Sequence, residues 1–152
     1  MKITLWIIII FMFLGTAFWL TANCNTTSEE RNMNYGISLS TDNTSYCDGE
    51  YIKIALKIFN YTDEQISFQF NSSQRYDFII ADEEENEIWR WSKDRMFAML
   101  LGEETLGLNN NNTTVVYTER VNTKLAPGYY KITGIFVSNN RPMSGSIMIE
   151  IR

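Results

Sequence analysis

Histidine is absent from the 152 residues, and the chain carries only two cysteines, two prolines and eight glycines. Without histidine, Ser-His-Asp and Cys-His nucleophilic systems lose their usual base, and zinc sites lose their commonest nitrogen ligand. No glycine-rich phosphate loop or dinucleotide fingerprint is present. Lys and Arg number 13 against 18 Asp and Glu, a net charge of −5, with no basic cluster of the kind that neutralises phosphates. These absences exclude the usual enzyme constellations and a nucleic-acid role. No catalytic residue, metal, cofactor or small-molecule substrate is expected. The one acidic run, Asp82-Glu83-Glu84-Glu85-Asn86-Glu87, lacks the alternating ligands and sharp glycine turn of a calcium loop. It reads as a solvated hairpin loop.

Long apolar runs are also missing, with one exception. Residues 3–22 carry no charge and follow Lys2, the pattern of a signal peptide or an uncleaved membrane anchor. Residues 1–23 are assigned to that apolar helix, residues 24–32 to a polar tether, and residues 33–152 to a single folded domain. Cys24 sits where a lipoprotein cysteine would be lipidated, although Thr21 and Asn23 depart from the usual lipobox. Lipidation of Cys24, its pairing with Cys47 in an oxidising compartment, and an uncut helix remain open alternatives. Each places the domain outside the cytoplasmic membrane, because Lys2 stays inside. The expected location is therefore the outer face of that membrane or the cell envelope, with the membrane itself as a partner through the helix or a lipid.

Beyond residue 33, alternation dominates, and no long segment holds a helical period. Ile52, Ile54, Leu56 and Ile58 alternate with Tyr51, Lys53, Ala55 and Lys57, which marks a half-buried strand. Similar patterns recur at Tyr35-Ile37-Leu39, Ile66-Phe68-Phe70, Tyr76-Phe78-Ile80, Val115-Tyr117, Tyr130-Ile132-Gly134-Phe136 and Ile147-Ile149-Ile151. Ile88 to Ser92 reads as a further strand, and Lys93 to Leu101 as one helical turn. Seven to eight short strands with regular turn signals predict an all-β, immunoglobulin-like antiparallel sandwich. Ile52, Ile54, Leu56, Phe78, Trp89, Ile132 and Phe136 are expected in its core. Pro127-Gly128 marks a tight corner, and Tyr130 just beyond it is placed to return its hydroxyl to the backbone, as in a tyrosine corner. Trp89 and Trp91 share one face of their strand, with Arg90 and Ser92 on the other.

The aromatic hairpin Tyr76-Asp77-Phe78-Ile79-Ile80, the Trp89-Arg90-Trp91-Ser92 strand closing on Met96-Phe97, and the Leu125-Ala126-Pro127-Gly128-Tyr129-Tyr130 turn together resemble the BsuPI family of intracellular proteinase inhibitors. The sequence departs from the family pattern where residues 109–112 replace a Pro-Gly-Glu-like turn and where Val121 replaces a tryptophan. The resemblance implies a small β-sandwich that binds a subtilisin-type serine protease through an exposed loop and performs no chemistry itself. Such enzymes accept large apolar side chains in their main specificity pocket. Two segments are candidates to supply one. The preferred contact is Arg141-Pro142-Met143, where Pro142 limits freedom and Met143 is the anchor. The second includes Met96, Phe97 and Met99. A non-inhibitory immunoglobulin-like binding or assembly module of the envelope is the alternative reading.

Overall fold

The structure is a computed structural model that describes residues 35–107, 112–122 and 124–152. The expected signal or anchor helix, the tether and Cys24 lie outside the described residues. Among the described residues the fold is all-β, with ten strands and no helix. One sheet has the order β1-β3-β8, where β1 is Tyr35–Thr41, β3 is Tyr51–Asn60 and β8 is Thr114–Asn122. A second has the order β2-β10-β9-β5-β6, comprising Ser45–Tyr46, Met143–Ile151, Gly128–Phe136, Tyr76–Ala81 and Glu87–Arg90. A third pairs β4, Ile66–Phe70, with β7, Gly102–Leu106. All pairings are antiparallel except the short parallel contact of β2 with β10.

Strict alternation explains β3, in which Ile52, Ile54, Leu56 and Ile58 are all buried while Tyr51, Lys53 and Lys57 are exposed. This face meets Phe78 and Ile80 of β5 and Ile132 and Phe136 of β9 in one apolar cluster. The close approach is visible at Gly134, where an added Cβ would lie 2.7 Å from Leu56 Cδ1 and 2.8 Å from Leu39 Cδ1. Phe68 and Phe70 of β4 meet Phe136 edge to face, with centroids 5.1 and 5.4 Å away, so the small third sheet shares the same core. Turns are held by short polar side chains. The Asn60 Oδ1 accepts from the Thr62 N–H, while its Nδ2 donates to the Glu64 and Leu106 carbonyls. In the acidic hairpin loop the Asp82 carboxylate accepts from the Asn86 N–H and amide, and Glu85 adopts φ 64°.

Five local expectations need correction. Residues 93–101 form a turn and then an irregular segment, not a helix; of their apolar side chains Phe97 packs inward on Trp91, while Met96, Met99, Leu100 and Leu101 stay exposed. Two short strands, β2 and β7, were not anticipated, since neither alternates over enough residues to be read. Trp89 is half-buried against the core rather than fully inside it. The β6 strand ends at Arg90, and β10 begins at Met143 within the segment read as a loop.

Candidate functional site

The Trp89-to-Ser92 segment is fastened from beneath by Asp77. This side chain is buried on the face of β5 opposite Phe78, and its carboxylate accepts four hydrogen bonds. Oδ1 receives the Phe78 N–H at 2.9 Å and the Ser92 N–H at 3.1 Å. Oδ2 receives the Ser92 hydroxyl at 2.7 Å and Arg90 Nη1 at 2.9 Å. The Trp91 N–H donates to the Phe78 carbonyl, extending the β5–β6 pairing one residue beyond the strand. Arg90 also bridges to Glu87 at 2.7 Å, and these contacts raise its pKa, Glu87 first and Asp77 second.

The bend that Asp77 enforces turns Trp91 into an aromatic row. Phe97 packs on Trp91 at 5.7 Å, Trp91 on Tyr76 at 4.4 Å, Tyr76 on Tyr117 at 4.7 Å, and Tyr117 on Phe136 at 6.2 Å. The row therefore runs from the surface into the core. The Arg95 guanidinium covers the outer Trp91 ring at 4.2 Å, and its Nε donates to the Trp91 carbonyl. Carboxylates fix both tyrosines: Tyr76 donates to Glu119 and Tyr117 to Glu104, each at 2.7 Å. Burial, reinforced by Glu119, pushes the Tyr76 hydroxyl up to about 12. Burial and then Glu104 raise Tyr117 as well.

On this support stands the segment 96–101. Met96, Met99, Leu100 and Leu101 are all exposed, Met96 completely, and only Phe97 turns inward. Ala98 is fixed at both backbone groups by Ser73. The Pro142 loop is built differently. Arg141 donates to the Ser67 carbonyl and lies over the Tyr35 ring at 5.1 Å, while Met143 pairs with Phe136 and is half-buried against the core. Pro142 alone of the three is exposed. Of the sequence candidates, the structure thus brings Met96, Phe97 and Met99 together on one supported segment, and places Arg141, Pro142 and Met143 elsewhere. The supporting roles of Asp77 and Ser73 escaped sequence reasoning. Asp77 occupies an outward position in an alternating strand, which ordinarily signals exposure. The Tyr130 hydroxyl donates to the Ala126 carbonyl at 2.9 Å, the corner bond anticipated at Pro127-Gly128. Cys47 is exposed with a free thiol.

No curated protein sequence matches this chain closely enough to count as a relative. Similar solved structures include the sporulation control protein Spo0M from Bacillus subtilis, at 10% identity and TM-score 0.48, covering 78% of this chain and 49% of that one. Another is the Pseudomonas fluorescens alkylpurine DNA glycosylase AlkC, at 14% identity and TM-score 0.45, covering 78% and 30%. A third is the CARDB domain of the PF1109 protein from Pyrococcus furiosus, at 10% and 0.43, covering 77% and 91%. This chain spans about half the length of Spo0M and less of AlkC. At these identities and TM-scores the likeness carries nothing about activity.

One family model, described as an intracellular proteinase inhibitor, matches residues 39–141, more than half of the chain. That description overturns the expectation of an exported protein held at the outer face of the membrane, and membrane attachment through residues 1–23 or Cys24 gains no support. The apolar run fits the hydropathy of a membrane segment, but hydropathy alone does not report the compartment of the folded domain. On the strength of the residues 39–141 match, the chain belongs to the BsuPI family of intracellular proteinase inhibitors.

Proposed function

We propose that this protein inhibits a subtilisin-type serine protease by presenting residues 96–101 to the enzyme's active-site cleft. Family membership supports a protease as partner and a protein without catalytic chemistry of its own. The observation that carries the contact is the exposure of Met96, Met99, Leu100 and Leu101 on one short segment that is nevertheless pinned through Phe97 and Ala98. Contiguous exposed apolar side chains mark interaction surfaces. Holding them in place before binding lowers the ordering cost of association. Arg141, Pro142 and Met143 form the weaker candidate, because Met143 already packs on the core and Arg141 is engaged at Ser67. An immunoglobulin-like form of the fold fits the Tyr130 corner bond and the sheets facing one another across the core.

The test is titration of subtilisin with the full chain, reading residual activity. The wild type should inhibit at micromolar concentration. Met96→Asp combined with Leu101→Asp should weaken inhibition at least tenfold, because a charge resists burial in an apolar pocket. Met143→Asp should change it far less. Absence of inhibition by the wild type would leave the non-inhibitory binding module in its place. Loss confined to Met143→Asp would move the contact to the Pro142 loop.

A further inference from the structure

Residues 96–101 carry a backbone arrangement that exposure alone does not require. The Ser73 N–H donates to the Ala98 carbonyl at 2.9 Å, and the Ala98 N–H donates to Ser73 Oγ at 3.0 Å. The same Ala98 carbonyl accepts the Leu100 N–H at 2.9 Å, which folds the chain tightly around Met99. Both backbone groups of Ala98 are committed to Ser73 and the Leu100 N–H to Ala98, so an enzyme that docks on the segment must take its backbone contacts from Phe97 and Met99. Of these two, Phe97 sends its side chain down onto Trp91, and Met99 sends its side chain out. Met96, three residues earlier and fully exposed, is free for a second apolar contact.

The turn that carries Ser73 is itself fixed. Arg75 Nη1 donates to the Ser72 carbonyl at 2.7 Å and to the Gln74 carbonyl at 3.2 Å, and Arg75 Nε bridges to Glu104 of β7 at 2.7 Å. On the other side of Met99, Leu101 leads directly into Gly102, which pairs with Phe70 of β4. Both sides of the Met99–Leu100 bond are therefore tied to the same body of the protein.

Resting on the inhibitory reading above, we infer that Met99 fills the main specificity pocket of the protease, and that Ser73 is the positioning residue that makes the Met99–Leu100 bond resist net cleavage. The chemistry follows from the tethers. Attack of the protease serine hydroxyl on the Met99 carbonyl forms an acyl ester and releases the Leu100 amine, which takes up the proton lost by the hydroxyl. In a free peptide the amine half diffuses away, and water then hydrolyses the ester. Here Ser73 keeps Ala98, and with it the acyl half, beside an amine that Gly102 and Phe70 hold. Attack of that amine on the ester re-forms the peptide bond and regenerates the serine hydroxyl faster than water enters.

The experiment incubates the full chain with subtilisin and follows residual activity and the mass of the fragments over time. The wild type should inhibit and be cut slowly, at Met99–Leu100 when cut at all. Ser73→Ala removes the acceptor for the Ala98 N–H and keeps the Ser73 N–H. It should melt close to the wild type, yet be cut at Met99–Leu100 about tenfold faster. Ser73→Thr, which restores a hydroxyl, should return cutting toward the wild-type rate. Met99→Asp should abolish inhibition. If the wild type inhibits but Ser73→Ala is cut no faster, or the cut falls at another bond, or Met99→Asp still inhibits, the assignment is overturned while the inhibitory function stands. If the wild type inhibits nothing, both fall.

Discussion

Replacing Asp77 by Asn tests whether the buried carboxylate organises the segment that supports residues 96–101. The substitution preserves shape and removes the charge. In the wild type all four groups around the carboxylate are donors: two backbone N–H groups, the Ser92 hydroxyl and the Arg90 guanidinium. An amide brings its own N–H groups into this ring of donors. The hydroxyl can turn round and accept, but the guanidinium and the backbone N–H groups cannot. One charge-assisted bond is lost, and one donor is left facing another, a cost of about 2–3 kcal/mol. The charge left on Arg90 adds little, because that side chain is 33% exposed and keeps Glu87. At roughly 4 °C per kcal/mol for a domain of this size, the melting temperature should fall by about 8–12 °C. Thermal melts followed by near-ultraviolet circular dichroism report both the midpoint and the Trp91 environment, which should change together. Inhibition of subtilisin, measured well below the melting range, should weaken as Trp91 ceases to hold Phe97. An unchanged midpoint for Asp77→Asn would refute the view that Asp77 fastens this corner of the fold.

Two further outcomes are expected. Gly134→Ala should cost about 1–3 kcal/mol by overpacking, read as a lowered denaturant midpoint, since the new methyl meets Leu56 and Leu39 below contact distance and both must shift. A stability equal to the wild type would mean that Leu56 and Leu39 can move aside without cost and that the facing sheets are loosely packed there. At alkaline pH, Tyr76 titrates at about 12 in the folded protein, against about 10 when unfolded. A raised pKa contributes stability that is complete below about pH 10 and is lost as pH rises through about 12. Melting temperatures measured across that window should decline, and Tyr76→Phe should flatten the decline. A variant with the same alkaline slope as the wild type would exclude Tyr76 as a source of it.

The sequence alone determined that the domain is all-β and which side chains form the centre of its core. The reason is that period-2 alternation at Ile52-Ile54-Leu56-Ile58 and at Tyr130-Ile132-Gly134-Phe136 is a local property, set by the pleat of a strand with one buried face. The Pro127-Gly128 turn with Tyr130 beyond it was legible for the same reason, since all its partners lie within a few residues. The family was legible from aromatic and turn residues at fixed places along the chain. Only the tertiary structure decided which loop stands free. Sequence reasoning preferred Met143 to Met99, because a proline beside a methionine suggests a stiff, exposed anchor. Whether a methionine is exposed depends on what packs against it, and Met143 has Phe136 beside it in the sheet while Met99 has nothing beneath it. The supports of that segment are equally non-local. Asp77 meets Ser92 across a turn of the chain, and Ser73 meets Ala98 twenty-five residues away, so neither contact leaves a periodic trace in the sequence.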